Sequence, residues 1–141
     1  MKEELFKFSQ ELIYPDYRLV IFLMVMMAFD LLSGIRKSNS KGEATISIGL
    51  RKTIAKGNQY FEFIFLVFTI INISKIADKG NDFIGILNYS LNGLFLFLIY
   101  IEIKSILENQ IETSPNSDLT KYLVIPLHNL IILKFKHFSE K

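Results

Sequence analysis

The chain has 141 residues, room for one domain. Half of them are apolar and 21% charged, but the charges gather in residues 1–18, 36–56, 75–82 and 102–141 and leave long, nearly pure apolar stretches between. With no cysteine there is no disulfide framework, thiolate metal site or Cys nucleophile, and a net charge of +2 is too small to argue for a nucleic-acid partner.

Residues 1–18 carry Lys2, Lys7 and Arg18 against Glu3, Glu4, Glu11 and Asp16. That balance is acidic, the wrong sign for a secretory leader, and no small-residue cleavage site follows the first apolar run, so the segment is expected to be retained. Within it Leu5, Phe6, Phe8, Leu12 and Ile13 recur at roughly helical spacing opposite Glu4, Lys7 and Glu11. This predicts a short amphipathic helix, interfacial or packed on its own protein, ended by Tyr14-Pro15.

Tyr17 to Ile35 is apolar except around Asp30 and is long enough for a hydrocarbon core that needs roughly 20 helical residues. Tyr14 and Tyr17 at its start suit the membrane interface. Residues 36–58 read as a polar loop centred on SNSKGEAT, with Arg36, Lys37, Lys41, Arg51, Lys52 and Lys56 against Glu43 alone. A second span is predicted over 60–77 and a third over 83–103, joined by a tight turn at 78–82 as an antiparallel hairpin. No segment has eighteen apolar residues without interruption, so the three support one another, and the competing fold is a very hydrophobic soluble bundle.

The tail from Glu108 breaks at Ser114-Pro115-Asn116. The apolar patch from Leu119 to Phe138 is punctuated by Pro126, His128 and Asn129, which favours an interfacial helix or irregular segment over a fourth span. The expected fold is thus all-α and membrane-embedded: a single domain over 1–141 with about three transmembrane helices, a basic loop at 36–58, a C-terminal segment at 108–141, and amphipathic segments at both ends. The excess of Lys and Arg in 36–58 predicts that this loop is cytoplasmic and lies on anionic lipid, with the N-terminus outside and the C-terminus inside a bacterial cytoplasmic membrane. Lys75 and Lys79 beside the outer turn run against this.

Helical spacing organises the polar residues of the spans. Asn58, Glu62, Phe65, Thr69, Asn72 and Ile76 fall on one face of the second span. Asn88, Asn92, Phe95, Ile99, Glu102 and Ile106 repeat the series in the third, with Ser105 and Asn109 on its shoulder. Such seams avoid lipid by facing protein or water. They are either glue between helices, with carboxylates snorkelling from the ends, or faces that meet across subunits and line an opening. Asp30, Glu62, Thr69, Asn72, Asn88, Asn92, Glu102, Ser105 and Asn109 are accordingly the candidate oligomerisation residues.

Enzyme signatures are missing. There is no Gly-rich phosphate loop and no H-E-x-x-H, no Ser is framed as a nucleophile, and His128 and His137 lie outside the usual metal-pairing distances. Glu102 and Glu108 have a more ordinary setting as a helix end than as an acid–base pair. No catalytic, cofactor-binding or metal-binding residues are expected.

Three patterns in order resemble one family of small phage membrane proteins. Asp30-Leu31-Leu32-Ser33-Gly34 is similar to its Asp-x-x-Ser/Thr-Gly at the close of the first span. Ser47-Ile48-Gly49-Leu50-Arg51-Lys52 is similar to its Ser-x-x-Gly-Leu-x-Lys. Glu102-Ile103-Lys104-Ser105-Ile106-Leu107-Glu108-Asn109, the most specific, is similar to its Glu-x-x-Ser-Ile-x-Glu-Asn. The family is that of the holins that includes the toxin-secretion holins. The resemblance implies a protein that oligomerises in the bacterial cytoplasmic membrane and opens lesions for an endolysin or an exported toxin. Here the helices carry Phe and Ile where the family would have more small residues, and the tail after Asn109 is longer and more apolar. The alternatives are a non-opening structural subunit anchoring a phage-derived secretion or defence complex, and a small proton-coupled transporter, for which Glu62 stands too near a helix end.

Overall fold

In a lipid environment every backbone polar group must be satisfied within the chain, which restricts a spanning segment of this kind to helix. The structure is a computed structural model and describes residues 2–42, 46–77 and 81–139. Among these it is helical without strands: α1 (Lys2–Glu11), α2 (Tyr17–Ser40), α3 (Ile46–Ala77), α4 (Asn81–Thr113), and a π turn at Thr120–Val124 that runs into α5 (Ile125–Ser139).

Three helices are long and apolar enough to cross a membrane, over Tyr17–Ser40, Gly49–Ala77 and Gly85–Thr113. Only 6, 11 and 22% of their most apolar windows are buried inside the chain. A soluble bundle would hide these faces; here Phe22, Phe61, Phe63, Phe65, Ile70 and Ile73 are all more than half exposed. The exterior suits lipid, and the chain is a multi-pass membrane protein.

The helices outrun the apolar stretches that announced them. Of residues 36–58, expected as a loop, 36–40 and 46–58 are helical, because α2 continues to Ser40 and α3 begins at Ile46; 43–45 lie outside the described residues. At 32 residues, α3 is roughly 48 Å long at 1.5 Å per residue, against a hydrocarbon core of about 30 Å. Polarity in 46–58 therefore marks where the helix leaves the apolar layer rather than where it starts. A turn follows α2 at Lys41 and Gly42, and the φ of 72° at Gly42 is the left-handed conformation that suits glycine. The expected tight turn at 78–82 falls partly outside the described residues, and α4 begins at Asn81, within it.

The middle helices run up, down and up. Asp16 lies by Asn92, Asp30 and Ser33 by Asn109, and Lys37 by Glu112, so α2 and α4 are parallel. They form the most extensive helix pair. Helix α3 runs antiparallel to both, with Asn72 at the Ile13 level and Lys56 at the Asp30 level. A Cβ at Gly57 would stand 3.3 Å from Met27 Cε, so the missing side chain lets α3 approach α2 closely. The buried core is small: Ile13, Leu23, Ile71, Leu91, Phe95 and Leu98.

Both terminal segments are tied to the bundle by polar groups. Asp16 caps α2 by accepting from the Arg18 N–H at 2.9 Å. Asn72 accepts from the Ile13 N–H at 2.7 Å and donates to the Ile13 carbonyl at 3.2 Å, and Asn92 accepts from the Asp16 N–H at 3.0 Å. Lys75, awkward beside the outer turn on charge grounds, donates to the Glu11 carbonyl, an orphan acceptor at the end of α1. At the other terminus Ser117 accepts from the Thr120 N–H, and α5 folds back on α4, where Tyr100 donates to the Ile131 carbonyl at 3.3 Å. The apolar stretch Thr120–Leu133 is a shorter helix than a span requires.

Truncating Asn72 leaves a buried peptide unit without partners, so Asn72→Ala is expected to cost about 1–2 kcal/mol. Thermal unfolding in detergent measures the loss. Amide exchange should speed up in residues 12–16 while the α2–α4 interface keeps its protection; uniform acceleration would contradict the assignment.

Candidate functional site

The chemistry of the chain concentrates at the end of the bundle where α2, α3 and α4 leave their apolar stretches. Helical phase assembles it. Asp30 and Ser33 are three residues apart on α2, Lys56 and Tyr60 four apart on α3, and Glu102 and Asn109 seven apart on α4, so each pair shares a face.

Glu102 has no exposed surface. Its Oε1 accepts from the Tyr60 hydroxyl at 2.5 Å and its Oε2 from Lys56 Nζ at 3.1 Å. Lys56 also donates to Asp30 Oδ2 at 2.8 Å, and Asn109 Nδ2 donates to Asp30 Oδ1 at 3.3 Å and to Ser33 Oγ at 2.9 Å. Ser33 in turn donates to the Asp30 carbonyl at 2.9 Å. Every carboxylate oxygen of the pair thus has one donor, and two carboxylates share one ammonium. Burying charge is costly unless it is paired and hydrogen-bonded, and this arrangement meets both conditions while leaving a formal charge of −1.

A second cluster lies farther out. Glu112 accepts from Lys37 and Lys41, each at 2.7 Å. Glu112 is 45% exposed, so these bridges orient side chains more than they stabilise the fold. Between the clusters a cavity of about 570 Å³ is lined by residues including Asp30, Lys37, Lys41, Lys52, Lys56 and Ser105. On α5, His128 Nε2 lies 3.5 Å from Glu108 Oε1, an ion pair when the imidazole is protonated and otherwise no hydrogen bond.

The polar seams therefore divide. Asp30, Glu102 and Asn109 meet inside the chain, and Ser105 lines the cavity. Asn72 and Asn92 engage the backbone before α2, Asn88 accepts weakly from Asn92 at 3.5 Å, and Thr69 donates to the Phe65 carbonyl of its own helix. Glu62 is exposed and has no polar partner among the described residues. Of the basic residues, Arg36, Arg51 and Lys52 are exposed. Lys56 departs from its expected lipid-facing position: with α3 already helical, it sits one turn before Tyr60 on the face that meets α2 and α4, and its side chain is 28% exposed. Sequence reasoning missed Tyr60 and the pairing of Lys56, although their spacing of four was a readable signal. Among the described residues no group of three or more His, Asp or Glu is placed to hold a metal ion.

The sequence pattern of the bacteriophage holin family matches residues 10–117, more than three quarters of the chain. The chain belongs to that family. The match takes in the three spans and the whole Asp30–Lys56–Glu102–Asn109 network and stops before α5. No curated protein and no solved structure matches the chain significantly. The bacteriophage holin family is a family of membrane proteins, not an enzymatic one.

Charge arithmetic orders two substitutions. Lys56→Met leaves two carboxylates facing each other beside the apolar layer and should cost about 3 kcal/mol, the lower end for a broken buried pair because Lys56 is partly exposed. Glu102→Gln leaves a neutral Asp30–Lys56 pair and should cost less than half as much. Unfolding of both variants in the same detergent checks the order, and equal costs would mean that the carboxylates act separately.

Proposed function

We propose that the chain associates laterally with copies of itself in the bacterial cytoplasmic membrane and opens lesions through which an endolysin or another exported protein leaves the cytoplasm. Family membership supports the general role, and one observation supports assembly. Glu62 stands on the outer surface of α3 among exposed Phe61, Phe63, Phe65 and Leu66. A carboxylate facing lipid costs about 2.5 kcal/mol or more at the bilayer centre and less toward a helix end, and such residues turn to protein, water or the interface. Asn58, one turn earlier on the same face, is exposed as well. Asn58 marks where this face leaves the apolar layer, and Glu62, one turn on, is a polar group that the single chain leaves uncovered and that a second copy or a water-lined opening would satisfy.

The orientation belongs to the same proposal. The basic ends of α2 and α3 lie in the cytoplasm, with the N-terminus outside and the C-terminus inside. The buried network then sits toward the inner leaflet, and the segment before α2 toward the outer one.

Expression of the chain together with a cytoplasmic muralytic enzyme tests this. Culture density should fall abruptly after a delay, with membrane potential lost at the same moment. Glu62→Gln should keep normal membrane levels while moving the onset of lysis and shifting the distribution of cross-linked oligomers. Intact potential at high membrane levels, with one fixed stoichiometry on gentle purification, would support a scaffold subunit instead.

A further inference from the structure

The cavity between α2, α3 and α4 is not part of the buried network, although it borders it. Four lysines reach it: Lys37 and Lys41, one turn apart on α2, and Lys52 and Lys56, one turn apart on α3. Ser38, Thr53, Ser105 and Asn109 add hydroxyl and amide donors, while Gly34 and Gly49 leave its wall without side chains. A Cβ at Gly34 would meet only Asn109 Nδ2, at 3.9 Å, so the space is open.

Charge is graded across this cavity. On the buried side Lys56 is shared by Asp30 and Glu102, which leaves an excess negative charge. Toward the exposed side Lys37 and Lys41 both bond the carboxylate of Glu112, each at 2.7 Å. Lys52 is exposed there and has no carboxylate partner among the described residues, so its ammonium is available to an anion. An anion is drawn to the Lys37–Lys41–Lys52 side and kept off the network.

We infer that this cleft binds the phosphate of an anionic membrane phospholipid. The choice of a lipid over a soluble phosphate rests on its surroundings. The cleft opens where the helices leave their apolar stretches, and Leu32, Leu50 and Ile54 on the same helices are about half exposed. A phosphodiester held by the lysines places its acyl chains along that apolar surface. Basic pockets between spanning helices are suited to such head groups, and each cation near an anionic leaflet contributes enough to change affinity about fivefold. The inference rests on the placement of the helices in a membrane and not on lesion formation, so lipid binding and lysis can fail independently.

The test uses the purified full-length chain in neutral detergent, titrated with phosphatidylglycerol or phosphatidylcholine, with bound lipid counted by native mass spectrometry. The wild type should retain phosphatidylglycerol in preference to phosphatidylcholine. Lys52→Gln should weaken that retention about fivefold. Lys52→Glu should weaken it further, Lys52→Arg should keep it, and Lys121→Gln, at an exposed lysine on the π turn outside the cleft, should leave it unchanged. Equal retention of the two lipids would overturn the inference, as would unchanged binding in Lys52→Glu or an equal loss in Lys121→Gln. Displacement of the lipid by millimolar inorganic phosphate would instead assign the cleft to a soluble anion.

Discussion

Glu102 is a carboxylate with no exposed surface at the junction of three helices, and one end of the bundle is arranged around satisfying it. Two of its donors come from α3, which must be helical and in phase from Lys56 to Tyr60 to deliver them. The lysine it shares brings in Asp30 of α2, and Asp30 brings in Asn109, two turns on from Glu102 itself. The loop of contacts closes through all three helices. Shifting any one by a residue would turn a donor away and leave charge beside the apolar layer, so the network sets register as well as contributing stability.

Membrane helices lack the hydrophobic drive that holds soluble bundles together, because lipid tails are as apolar as leucine. Close packing and polar ties must select the arrangement. This chain places its ties at the two ends: the charged network at one, and Asn72 and Asn92 gripping the backbone of residues 13–16 at the other. Between them the contacts are apolar, through Leu23, Ile71, Leu91, Phe95 and Leu98. The asparagine ties also suit the non-helical stretch around Pro15: its backbone groups lack helical partners, and the two asparagines supply some of them.

Much of this was legible in the residue order. The three spans follow from apolar length, and the seam residues from helical spacing. Boundaries were harder. A helix that projects into water has the composition of a solvated loop, so the Arg- and Lys-rich run at 36–58 hid two helix ends, and with them the register that puts Lys56 against Asp30. Partner choice was harder still. Spacing shows that Glu102 and Asn109 share a face, but not whether that face meets α2, another copy or water. Only the parallel packing of α2 with α4 decides it, and neither helix encodes that contact alone. Glu62 and Glu102 looked equivalent as carboxylates in matching seams. Their burial separates them completely, one exposed and one enclosed.

That separation bears on how lesions would form under the proposed function. Opening by parting the three helices of one subunit would separate Glu102 and Asp30 from Lys56, with the several kcal/mol that a broken buried pair costs set against it. Assembly through the exposed face of α3 meets no such barrier, since Glu62 and Asn58 have no internal partner to lose among the described residues. The subunit is therefore expected to enter the lesion as a rigid three-helix unit, with water admitted between subunits along that face of α3. The buried network then serves assembly indirectly, by keeping that face straight and correctly turned.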